Sequence, residues 1–187
     1  VARRPEAEAT GTPSGGSERG AVTIDGRPFP IRPHHCFACG SLNVEGLGLA
    51  LHAESDRCWT ELVLPDRFEG WHGIAHGGIV CTILDEVMAW SLIAHDAWGL
   101  TARMTVEFKR PVPIGVPIRA DGRLVERRRR LLVTSATLID RETGSLLASA
   151  DGLYVAAPAD RKAELKRAYG FDDGDLDRRA AVASGGS

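Results

Sequence analysis

The stretch Ile79-Val80-Cys81-Thr82-Ile83-Leu84-Asp85-Glu86-Val87-Met88-Ala89-Trp90-Ser91-Leu92-Ile93 decides the fold. Its apolar residues Ile79, Val80, Ile83, Leu84, Val87, Met88, Leu92 and Ile93 recur at helical spacing around most of the circumference. A helix apolar on nearly every side is wrapped by other structure, not laid on a surface. Asp85 and Glu86 interrupt it, and carboxylates in apolar company are costly unless paired or used. Consecutive helical residues point about 100° apart, so the two acids do not act as one dyad and only one is central.

Outward from this helix the chain reads as strand. Cys58-Trp59-Thr60-Glu61-Leu62-Val63-Leu64 is β-rich and stopped by Pro65, and a loop punctuated by Gly70 and Gly73 delivers the chain to the helix. Beyond it, Met104, Val106 and Phe108 alternate with Thr105, Glu107 and Lys109 until Pro111 and Pro113. Ile118 to Glu126, Leu131 to Ile139 and Leu146 to Val155 complete the strands, the last two joined by a hairpin at Asp140-Arg141-Glu142-Thr143-Gly144. One buried helix followed by successive strands implies an α+β fold, a long central helix wrapped by a curved, mainly antiparallel sheet. One sheet face stays open, and symmetric pairing is the common way to cover it. A homodimer, or a dimer of such dimers, is expected.

The two ends read differently. Residues 1–30 are rich in Gly, Ser, Thr, Pro, Glu and Arg and are expected to be a disordered tail; residues 31–157 form the domain; residues 158–187 form a charged tail, with a surface helix at Ala159 to Ala168. The net charge of −2 is spread along the chain, so no nucleic-acid or membrane partner is expected. Val1-Ala2-Arg3-Arg4 has no apolar segment behind it, and no uninterrupted apolar stretch is read as a bilayer span. Four cysteines, at 36, 39, 58 and 81, are too few for a disulfide framework. A cytoplasmic location fits.

His76-Gly77-Gly78 stands where the loop enters the helix, so its backbone N–H groups belong to the unpaired first turn at the positive end of the dipole. Such groups can meet an oxyanion, and glycines let a carbonyl approach closely; the plainer reading is a tight turn. Taken in order, His76 to Glu86, then Thr101 and Met104-Thr105-Val106-Glu107-Phe108-Lys109-Arg110-Pro111-Val112, resemble the hotdog-fold thioesterase superfamily of the phenylacetyl-CoA and 4-hydroxybenzoyl-CoA type. Cys36-Phe37-Ala38-Cys39-Gly40 upstream and Ala148 to Tyr154 downstream fit a subgroup. The resemblance implies acyl-CoA hydrolysis, with Asp85 as general base or nucleophile, His76 and Gly77 at the oxyanion site and Thr101 as a helper hydroxyl. Gly78, Trp71, His72 and a secondary Glu86 complete the substrate surroundings. Many relatives place an asparagine in the loop where this chain has Gly70-Trp71-His72-Gly73, so His72 is a candidate contributor.

Arg127-Arg128-Arg129-Arg130 lies between two strands and is read either as a solvated turn or as a grip on CoA phosphates, with Arg129 and Arg130 as the chosen contacts. His34-His35-Cys36-Phe37-Ala38-Cys39 is half of a metal motif; a second ligand pair is missing in sequence, so it is read as a structural turn, with no metal and no cofactor expected. Release of acyl groups from an acyl-carrier protein, and a non-catalytic acyl-thioester-binding module, remain as alternatives.

Overall fold

Side chains that alternate along the flanking segments, and one helix apolar all round, leave a sheet little choice but to roll. The computed structural model describes residues 19–55 and 57–171. Its strands are β1 (Val22–Ile24), β2 (Arg27–Phe29), β3 (Leu51–Ala53), β4 (Arg57–Val63), β5 (Glu69–Trp71), β6 (Ile74–Ala75), β7 (Gly99–Phe108), β8 (Pro117–Arg128), β9 (Leu131–Asp140) and β10 (Leu146–Ala156). Helices α1 (Gly77–Ser91) and α2 (Ala159–Tyr169) complete the fold. Eight strands form one sheet in the order β2-β1-β3-β4-β8-β9-β10-β7, antiparallel except for β1 against β3. β5 and β6 make a separate hairpin.

α1 contacts β3, β4, β8, β9, β10 and β7. Six adjacent strands at about 4.8 Å spacing span roughly 24 Å, twice the ~10–12 Å diameter of a helix with its side chains. The sheet must therefore curve around α1, as the sequence implies. Val80, Ile83, Leu84, Val87 and Met88 are each at most 1% exposed. Contact is closest at Gly122 of β8, where an added Cβ would lie 2.5 Å from the Val87 carbonyl group. The stretch Gly77–His95 does have the length and hydropathy of a bilayer span, contrary to the sequence reading; half of it is buried, as befits the core helix of this sheet.

The expected domain limits are too narrow. Residues 22–29, assigned to the tail, form β1 and β2, turned at Asp25 (φ 49°) and Gly26 (φ 73°), so the sheet begins before residue 31. Asp-Gly is the dipeptide a two-residue hairpin turn requires, because both residues take positive φ. At the other end α2 forms as expected, but Gly170 (φ 85°) ends it and turns Phe171 inward, leaving that ring 2% exposed. Phe171 stacks on Phe29 at 4.3 Å and meets Trp98 edge-on at 5.2 Å. The rest of the expected tails, residues 1–18 and 172–187, lies outside the described residues.

Candidate active site

The loop into α1 is fixed at two points, the His76 N–H donating to the Phe68 carbonyl at 2.8 Å and Gly70 packing against His76, where a Cβ would be 2.9 Å from Cα. His76 is the N-cap, with extended backbone, and its Nδ1 accepts from the Gly78 N–H at 3.0 Å. The Ile79 and Val80 N–H groups both donate to the His76 carbonyl. Of the first-turn donors only the Gly77 N–H lacks a partner among the described residues. The Gly78 N–H is spent on capping, so the Gly77 N–H is the free backbone donor of the first turn; His76 caps through Nδ1 alone, which leaves the proton on its Nε2.

Asp85 sits two turns further along, partly buried. Thr101 Oγ1 of β7 donates to its Oδ1 at 2.8 Å, and the Tyr154 hydroxyl of β10 donates to the same oxygen at 2.7 Å. Thr101 and Tyr154 are register partners across β10 and β7, which is why both reach one atom. Burial, and next the Asp85 hydrogen bond and charge, push the Tyr154 phenol well above its usual range, so it remains a donor. The carboxylate is thus held by one oxygen, with Oδ2 left for chemistry. Tyr154 was missed as a site residue, because on an alternating strand a buried tyrosine reads as core.

The remaining expected residues fall into separate places. Trp71, 83% exposed, and His72, paired loosely with Glu69 at 3.7 Å, stand at the tip of the β5–β6 hairpin beside His76, away from Asp85. Glu86 turns off the Asp85 side: its carboxylate accepts from Trp90 Nε1 at 2.9 Å and lies 3.9 Å from Cys36 Sγ. Its polar partners are therefore not those of the reacting carboxylate. Arg129 (φ 53°) and Arg130 form the exposed β8–β9 turn and make no ion pair among the described residues. In register, Arg127, Leu132, Tyr154 and Thr101 form one cross-sheet row, which puts the arginine turn at Thr101's end of the sheet, roughly 14 Å away by strand spacing. A cavity of about 190 Å³ lies on the Glu86 side of α1, lined by Cys36, Cys39, Glu86, Trp90, Trp98 and Leu100 among others.

Comparison with known proteins points the same way. Residues 72–147 match the family described as the Thioesterase superfamily. The chain is 24% identical over 119 residues to acyl-coenzyme A thioesterase THEM4 of Xenopus laevis, covering 62% of this chain and 54% of that protein. It spans about half the length of the curated relatives it matches. A thioesterase superfamily protein of known crystal structure superposes with a TM-score of 0.62 at 25% identity, over 65% of this chain and 60% of that one. A Streptococcus mutans protein crystallised with acetyl CoA shares the fold, with a TM-score of 0.55 at 19% identity over 58% of this chain and 88% of that one.

Proposed function

Because the chain carries a hotdog-fold domain of the thioesterase superfamily, we propose that it hydrolyses an acyl-CoA to a carboxylic acid and CoA in a site shared between two protomers. The observation that carries this is Asp85 held at Oδ1 by Thr101 and Tyr154, with Oδ2 free. Oδ2 either takes a proton from the attacking water or attacks the thioester carbonyl itself. The Gly77 N–H, at the positive end of α1, receives the oxyanion that develops.

Eight residues of helix separate Gly77 from Asp85, about 12 Å at 1.5 Å per residue. One thioester carbonyl cannot touch both on the same helix. A complete site therefore takes Asp85, Thr101 and Tyr154 from one protomer and Gly77, with the Trp71–His72 hairpin tip, from another. β7 supports the pairing: it is a ten-residue edge strand with exposed Leu100 and Phe108, an edge that a soluble chain must cover or pair. Arg129 and Arg130 receive the nucleotide phosphates at the end of the sheet that holds Thr101.

Two inactive variants test this together. Gly77→Pro removes the N–H while keeping the helix start, since proline is tolerated at the first helical position and His76 already has the extended backbone that must precede it. Asp85→Asn removes the base. Each alone should abolish most hydrolysis across a panel of short, aromatic and long acyl-CoAs. After the two are mixed, denatured and refolded, half the dimers are mixed and carry one intact site, so roughly a quarter of wild-type activity should return. No recovery defeats the shared site; no hydrolysis of any acyl-CoA by the wild type defeats the thioesterase reading.

A further inference from the structure

About 100° around α1 from Asp85 lies a second cluster, which the chemistry proposed at Asp85 does not use. Cys36 Sγ, Cys39 Sγ and a Glu86 carboxylate oxygen all lie within 4.8 Å of one another, and His34 Nε2 lies 3.3 Å from Cys39 Sγ. Sequence spacing supplies only half a metal motif; the fold supplies the remainder by laying the N-terminal turn against the helix. We propose that Cys36, Cys39 and Glu86, closed by His34, form a structural zinc site that fastens residues 34–40 to α1.

The separations suit the ion. Zinc–sulfur bonds of about 2.3 Å and zinc–nitrogen or zinc–oxygen bonds of about 2.0–2.1 Å in a tetrahedron bring ligand atoms to about 3.5 Å from one another. Cys36 and Glu86 stand 3.9 Å apart and His34 Nε2 lies 3.3 Å from Cys39 Sγ; Cys36, Cys39 and Glu86 converge within 4.8 Å, and His34 stands outside that group on the Cys39 side, from which a small side-chain rotation closes the tetrahedron. The ligands are also oriented from behind, as metal ligands are. His34 Nδ1 lies 3.0 Å from the Arg32 carbonyl, which can only accept, so Nδ1 carries the proton and Nε2 presents a lone pair to the cluster. Trp90 Nε1 donates to Glu86 Oε1, fixing the carboxylate. The Cys36–Cys39 turn closes through the Gly40 N–H to the Cys36 carbonyl at 2.9 Å, and any side chain at Gly40 would meet backbone at 2.5–2.6 Å.

Charge accounting agrees with the geometry. Three acidic groups converging on one point repel one another as anions, and a cation between them removes that repulsion. Zn²⁺ binds both sulfurs as thiolates and Glu86 as a carboxylate, and the protons they held pass to solvent. Two thiolates and an imidazole are the borderline-soft set that selects zinc over magnesium or calcium. Four protein ligands leave no open position, so the role is structural.

The test uses the full chain, purified under reducing conditions without chelator, and does not depend on thioesterase activity. Elemental analysis should find zinc equimolar with protein, and cobalt exchange should give thiolate-to-cobalt charge-transfer absorption together with the visible bands of a tetrahedral site. Cys36→Ser and Cys39→Ser should each lower zinc affinity by about 100-fold or more and diminish the charge-transfer band. Should those variants not fold, Glu86→Gln and His34→Ala report instead: both keep the thiolate absorption, and each lowers zinc affinity about 10–100-fold. Reduced protein that lacks zinc and shows no charge-transfer absorption on titration with cobalt overturns the site. So does a Cys36–Cys39 disulfide as the native form, with thermal stability indifferent to zinc.

Discussion

Asp85 and Glu86 are neighbours in sequence and opposites in surroundings. Asp85 faces the edge strand and receives two neutral hydroxyls on one oxygen, with the other free of protein hydrogen bonds among the described residues. Glu86, a hundred degrees around the helix, faces an indole and two sulfurs, and burial lifts it to about 7. The difference teaches that an acid in an apolar helix is assigned its work by what the sheet and the flanking turn bring to it. Hydroxyl donors hold one carboxylate oxygen and leave the other for chemistry; two sulfurs converging on a carboxylate make a set of ligands for a cation.

The largest effect expected from breaking this contrast is on the Asp85 side. Asp85→Asn should lower kcat about 10²–10⁴-fold with unfolding behaviour unchanged, whereas Glu86→Gln should cost far less turnover. Equal losses in steady-state kinetics would erase the distinction between the two acids. Next come the hydroxyls. A hydrogen bond to a charged group is worth about 1.5–3 kcal/mol, so Tyr154→Phe, which deletes one oxygen from a fully buried ring, should cost roughly 10–100-fold in kcat/KM. Thr101→Val should cost less, because the shorter Tyr154 bond still holds Oδ1, and Thr101→Ser should restore activity. The smallest effect belongs to the other side: Trp90→Phe removes the Glu86 donor and should lower stability to urea by about 1 kcal/mol, with kcat unchanged.

The core was legible because its signals were local and dense. The α1 residues repeat at helical spacing, and β7 to β10 show alternation and the Asp140–Gly144 turn, where the Glu142 and Thr143 N–H groups donate to Asp140 Oδ1. The margins were not. Val22, Ile24, Phe29 and Phe171 are single apolar residues in polar stretches, and each is buried or packed against the core only through contacts from distant parts of the chain. Asp25-Gly26 between Ile24 and Phe29 was the one available sign of the first hairpin. In the site, Asp85, Thr101 and Gly77 could be picked out from motif order, but Tyr154 could not, since only the β10–β7 register sets it opposite Thr101. Glu86 entered the reading through the same motif, and helical geometry, which gives an angle and not the neighbours found at that angle, could not show the indole and the sulfurs around it.

The contact between Phe29 and Phe171 joins nearly the first described element to the last described residue, so the chain closes on itself like a belt through its buckle. During synthesis that closure cannot occur until Phe171 has left the ribosome. Until then Trp98, which Phe171 covers edge-on, and Trp90 beside it lack their final cover. The interval between the emergence of Trp98 and that of Phe171 is thus one in which an aromatic surface stands uncovered, and removing residues 159–171 should raise light scattering of the refolding domain.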